Sequence, residues 1–211
     1  MRDLLAHTVP YFLYVAIGAA LSGVCPWSDA VRIMACGAIL AWCLRAGKYR
    51  ELTEKPVGWH LLAGTAVGAA VGVAWVPMAK LVPAMGETAR TGLDPAKSLL
   101  ESSFRIVDMV VLAPLVEELL VRSAIPRIVD AGAGRDWRAL NVGTVTWLGG
   151  AASVVFFTLT HPEWLAALVT GIAWMLLLRM TRNLWVVIVS HAVANAWLAH
   201  YVLATGEKQW W

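Results

Sequence analysis

Apolar residues come in long runs parted by short polar stretches, and the runs have the length of membrane spans. Residues 9–24, 30–44 and 59–79 form the first three runs. Residues 80–105 are mixed, with Lys80, Pro83, Glu87, Arg90, Asp94, Pro95, Lys97, Glu101 and Arg105, and read as a loop followed by an amphipathic or juxtamembrane helix. A fourth run starts near Ile106 and continues past Arg122. After a polar loop at 130–138, a fifth run covers 142–160. The short link His161-Pro162-Glu163 leads to a sixth run at 164–178, and a seventh covers 184–203. A helix rising 1.5 Å per residue needs about 20 apolar residues to cross the hydrocarbon core. The pattern therefore predicts an all-α fold, a polytopic transmembrane helical bundle of about seven spans, within a range of six to eight. Gly64, Gly68 and Gly72 recur at every fourth position of the third run, which predicts a smooth face for close helix packing. The chain divides into residues 1–104, holding N-terminal transmembrane helices and the amphipathic segment, and residues 105–211, a second transmembrane core.

Composition narrows the class. The 211 residues are 59% hydrophobic and 15% charged, against about 45–50% and about 25% in soluble domains. That excludes a water-soluble globular enzyme, and disorder with it, because disorder needs low hydrophobicity and high charge. The first run resembles a signal peptide, with Arg2 ahead of a short apolar core and Ala19 and Ala20 behind it. The membrane character of the rest favours an uncleaved span. The net charge of +3 is small and spread over the loops, so no nucleic-acid partner is expected. Lys and Arg gather near the N-terminus and in alternate links, as in Arg45, Lys48, Arg50, Lys55, Arg122, Arg127, Arg135 and Arg138. This bias predicts an inside N-terminus and an outside C-terminus. Trp210 and Trp211 fit an interfacial aromatic belt. Cys25, Cys36 and Cys43 lack metal-type spacing and read as packing residues.

The informative residues are the polar ones inside the runs, where each ionisable group costs about 2.5–3.5 kcal/mol on insertion scales. The fourth run holds Asp108, Glu117, Glu118 and Arg122. Asp108 lies near its start and reads as structural. Glu117 lies about 16 Å along the helix from Ile106, near mid-membrane. Glu118 and Arg122 are four apart and share a face, so they can pair. Glu117 is rotated about 100° from Glu118, and that pairing does not account for it. In the fifth run Phe157 and His161 share a face, and in the seventh His191 and Asn195 do. His191 and Asn195 alone could be interhelical hydrogen-bond glue. His7, His60 and His200 sit near run ends and read as interfacial. Together, a carboxylate, two imidazoles and an amide suit water activation and oxyanion stabilisation. The same groups could equally ligate a hard or borderline metal. HExxH and GxSxG are absent, and Ser190 points about 100° away from His191.

Three motifs in order, Glu117-Glu118-Leu-Leu-Val-Arg122, Phe157-Thr-Leu-Thr-His161 and His191-Ala-Val-Ala-Asn195, resemble those of the CPBP family. These are the CAAX proteases and bacteriocin-processing enzymes, also called the Abi family, which include the Ras-converting CAAX endopeptidase. Pro114 and the approach RMTRNLWVVIVSHAVAN also fit, and the match covers roughly 105–200. The overall size and the N-terminal spans also resemble the CAAX-protease-related proteins of bacterial exosortase systems. The resemblance implies a glutamate-type intramembrane endopeptidase of a bacterial inner membrane, acting on a membrane-associated protein or peptide. It implies that Glu117, helped by His161, activates water, that His191 and Asn195 stabilise the oxyanion, and that Glu118 and Arg122 orient the site. No cofactor and no metal are expected, although the family was long described as metalloproteases and zinc stays open. A metal-dependent protease, a non-catalytic membrane scaffold or immunity protein, and a transporter or proton relay are the alternatives. The lack of an inverted repeat weighs against the last. One geometric demand follows. If the fifth span began at Val142, His161 would lie about 28 Å along it, at the far face. To meet Glu117, that span must start nearer Trp147, or the His161-Pro162 turn must be recessed in the protein.

Overall fold

The computed structural model describes residues 2–85 and 99–210. Glu87, Arg90, Asp94, Pro95 and Lys97 of the expected loop lie outside the described residues. The architecture is all-helical. Seven helices are described: α1 (Arg2–Leu21), α2 (Ser28–Arg45), α3 (Gly58–Leu81), α4 (99–131), α5 (Trp147–Leu159), α6 (Trp164–Thr181) and α7 (Leu184–Thr205). Of these, α1, α3, α6 and α7 are long and apolar enough to cross a membrane, and the chain is a helical membrane bundle.

Packing starts from the glycine face of α3. A Cβ on Gly64 would come within 2.8 Å of the Val186 carbonyl oxygen, one on Gly72 within 2.7 Å of Trp197 Cβ, and one on Gly68 would collide with the Ser190 carbonyl. Backbone therefore meets backbone along α3 and α7, which holds the third motif's helix in place. Phe157, Trp174, Leu178, Val186 and Val187 are buried at the centre of the bundle.

The fourth helix departs from α-geometry twice. Leu99–Val107, Ala113–Glu118 and Ile125–Ala131 are α-helical, while Asp108–Leu112 and Leu119–Ala124 are π-helical. Each π turn frees backbone carbonyls, and neighbouring side chains take them up. Asn195 Nδ2 donates to Met109 O at 2.8 Å in the first. Ser153 Oγ donates to Val121 O at 2.5 Å, and Arg127 Nε to Ser123 O at 2.7 Å, in the second.

The fifth helix begins at Trp147, not at Val142. Gly143 turns the chain at φ +82°, and Thr146 caps the helix by accepting from Gly149 N at 3.2 Å. Asp130 fixes that cap, accepting from Thr146 N at 2.7 Å. The resulting 13 residues rise about 20 Å, well short of a hydrocarbon core of about 30 Å. His161 is thereby left inside the protein. The turn beyond α5 is satisfied locally, since Pro162 O accepts from Met85 N at 2.8 Å and from Trp164 N at 2.9 Å.

Candidate active site

Three helices bring the motif residues to one cavity of about 230 Å³. Glu117 of α4, His161 just beyond α5, and His191 and Asn195 of α7 all line it. Trp75, Phe157, Trp174 and Trp210 supply aromatic wall, and Tyr14 and Arg105 are polar lining residues from α1 and the start of α4.

Glu117 lies in the last turn of the short α-segment between the two π turns, half-buried, and its Oε2 is buried with no hydrogen-bond partner. A buried carboxylate oxygen without a donor is costly, and such groups mark strain or chemistry rather than packing. His161 Nδ1 lies 2.8 Å from Phe157 O. A carbonyl only accepts, so Nδ1 carries the hydrogen and Nε2 carries the lone pair. The His161 ring also packs against Phe157, centroids 4.2 Å apart, and edge-on to Trp75.

The second glutamate does more than face its arginine. Glu118 Oε1 accepts from His191 Nδ1 at 2.9 Å, which leaves Nε2 as the second ring nitrogen of His191. The His191 ring lies over Trp174 with centroids 4.2 Å apart. Arg122 Nε comes to 3.5 Å from Glu118 Oε2, an ion-pair distance without hydrogen-bond geometry. All three Arg122 nitrogens lack hydrogen-bond partners, and the guanidinium sits 4.3 Å over Phe157 and 5.5 Å from the Trp174 centroid. The i,i+4 pairing read from the sequence presumes an α-turn. A π turn runs through 119–124 instead, so Arg122 is seated on aromatic faces. Ser190 Oγ is taken by Trp174 Nε1 at 3.0 Å, so it is a structural hydroxyl. Among the described residues, no group of three or more His, Cys, Asp or Glu side chains is arranged to hold a metal ion.

Next to the cavity, Asp108 is fully buried. Its Oδ2 accepts from Arg32 Nη1 at 2.9 Å and from Tyr14 OH at 3.1 Å. Arg105 Nη1 reaches Asp29 at 3.3 Å and Asp108 at 3.9 Å. The sequence reading gave Asp108 a structural role but missed its partners, which lie 76 and 94 residues away. The cavity-lining Arg105 and Tyr14 were missed too; only an inward-facing polar residue near a span end hints at them.

The bundle of membrane helices thus encloses two histidines, an amide and a carboxylate oxygen without a hydrogen-bond partner in one cavity. Residues 100–197 match the family model of the Rce1-like proteins, type II CAAX prenyl endopeptidase Rce1-like. The match covers all three motifs and just under half of the chain, and over that segment the chain is similar to this endopeptidase family. No curated protein and no solved structure matches the chain.

Proposed function

We propose that the protein hydrolyses a peptide bond in a membrane-associated protein or peptide, with Glu117 as general base. The observation that carries this reading is the buried, unpartnered Glu117 Oε2 in the cavity that His161, His191 and Asn195 also line. A water between Glu117 and the lone pair of His161 Nε2 would lose a proton to the carboxylate as its oxygen attacks the scissile carbonyl. The carbonyl oxygen becomes an oxyanion facing the second N–H of Asn195, the first being held on Met109 O, and His191 Nε2, which donates when the ring held by Glu118 at Nδ1 is an imidazolium. Glu117 then returns the proton to the leaving amine as the carbonyl re-forms. Glu118 fixes the His191 ring through Nδ1, and Arg122 balances the charge of the glutamate pair.

The matched family's name puts forward a prenylated CAAX-type peptide as substrate. Arg105, a cavity-lining guanidinium, would then receive the carboxylate at the substrate's C-terminus. In cells carrying Glu117→Gln, a membrane-associated protein should accumulate uncleaved, and wild type should process it. A variant that keeps full biological activity would favour the scaffold alternative. About one zinc per purified chain, with metal and activity lost together on chelation, would overturn the metal-free mechanism.

A further inference from the structure

A second cavity, of about 320 Å³, lies at the opposite end of the bundle, where α1 and α7 begin and α2 and α4 end. Its lining includes Lys48, Arg50, Arg127, Arg138 and Arg182, against Glu51, Glu54 and Asp136. Most of these charges are committed. Lys48 and Arg138 pair with Asp3 at 3.0 and 2.7 Å, and Arg127 pairs with Glu51 at 3.0 Å. Asp136 accepts from Arg138 N at 3.0 Å. Arg50 and Arg182 are exposed, and among the described residues neither side chain makes an ion pair or a hydrogen bond. Glu54 is the opposing carboxylate left over, so two guanidiniums face one anion.

Arg182 is held where it stands. Its backbone is left-handed, φ +51°, the one such non-glycine among the described residues, and rare for an L side chain. Gly143 packs so closely that a Cβ there would lie 2.8 Å from Arg182 Cα. The depth of the cavity follows from tryptophan. Trp42, Trp59 and Trp147 are 67%, 60% and 74% exposed and stand at this same end, near the end of α2 and the starts of α3 and α5. Exposed tryptophans of membrane helices mark the headgroup level. The uncommitted guanidiniums are therefore placed where lipid phosphates lie.

We propose that this cavity binds the phosphate headgroup of an anionic phospholipid, with Arg50 and Arg182 as its paired donors. Planar guanidinium forks match phosphate oxygens, and basic recesses between membrane helices recognise anionic headgroups. The interfacial depth favours a lipid over free phosphate.

The test uses the full chain in neutral nanodiscs of phosphatidylcholine, titrated with phosphatidylglycerol, with inorganic phosphate as a separate arm. Melting temperature and native mass spectrometry are the readouts. Wild type should gain thermal stability with phosphatidylglycerol and retain it as a bound adduct, and should not respond to inorganic phosphate. R50Q/R182Q should melt like wild type in phosphatidylcholine and bind phosphatidylglycerol about 30-fold more weakly, at about 1 kcal/mol for each basic contact. Arg182→Gly should lose part of the response without losing the fold, because glycine suits the left-handed backbone. An equal response of wild type and R50Q/R182Q would overturn the site. An equal response to inorganic phosphate would overturn the lipid as its occupant.

Discussion

Two carboxylate clusters hang on the same helix, α4, and they are built oppositely. At its C-terminal end, Glu51 Oε1 accepts from His7 Nε2 at 2.7 Å, from Arg127 Nη2 at 3.0 Å and from Ser123 Oγ. His7 Nδ1 is itself 2.9 Å from Asp3 O. Both His7 nitrogens thus face oxygen atoms. Midway along the helix, Glu117 Oε2, Glu118 Oε2 and every Arg122 nitrogen lack a hydrogen-bond partner. A saturated polar network ties elements together, while an unsaturated one holds groups ready for something not yet bound. The Glu51 cluster joins α1, the α2–α3 link and α4 as a structural clasp. The Glu117 cluster is where substrate chemistry has room.

The largest expected effect breaks the charge balance at the site. Glu118→Gln keeps an acceptor for His191 but leaves Arg122 without its nearest anion. Breaking a buried pair costs about 3–5 kcal/mol, so purified yield and melting temperature should fall sharply. An unchanged melting temperature would mean that the aromatic faces alone carry Arg122. Next, Asn195→Ala should slow turnover by about 10²–10³-fold, the cost of one oxyanion donor, with substrate KM nearly unchanged. A loss confined to KM would place Asn195 in ground-state binding instead.

The clasp should answer to acid. Burial pushes the Glu51 carboxyl up, but the His7 hydrogen bond and charge, with Arg127 and Ser123, outweigh it and hold it at about 2, below its ordinary 4.5. A depressed carboxylate stabilises the fold above its unfolded pKa, and that stability is lost as pH falls through the folded value. Wild type should therefore lose on the order of 3 kcal/mol between about pH 4.5 and pH 2, and Glu51→Gln should flatten that part of the profile. An equally steep acid loss in the variant would assign it to other groups. The smallest effect belongs to Arg105→Gln. It should raise KM for a peptide with a free C-terminal carboxylate by about tenfold, and should not for the C-terminal amide, in line with one charge-assisted contact of about 1.5 kcal/mol. Equal effects on both peptides would remove Arg105 from carboxylate recognition.

Much of this was legible in the sequence, because helices and motifs are local. Apolar runs marked the seven helices, the glycine spacing of α3 marked a close-packing face, four-residue spacings put Phe157 with His161 and His191 with Asn195, and Glu117 stood out as the carboxylate that the Glu118–Arg122 pair does not account for. The π turns at 108–112 and 119–124 were not legible, since a 3.6-residue period is indifferent to a single wide turn. Arg122 keeps its ion pair with Glu118 at 3.5 Å, but its guanidinium also lies over Phe157 and Trp174, which the spacing did not show. Long-range partners were hidden too. His7 read as an interfacial histidine, yet it is buried with Glu51, 44 residues away, and nothing near it in the chain signals that bond. Likewise, Glu118 meets His191 across 73 residues.

The most direct test of the account is a matched comparison of wild type and Glu117→Gln, purified side by side, in cleavage of a membrane-anchored peptide and in melting temperature. Glutamine keeps the shape of the side chain and removes the base. Turnover of Glu117→Gln should fall by about 10²–10⁴-fold at an unchanged melting temperature. Retained turnover, or a collapse of the fold in place of a loss of chemistry, would contradict it.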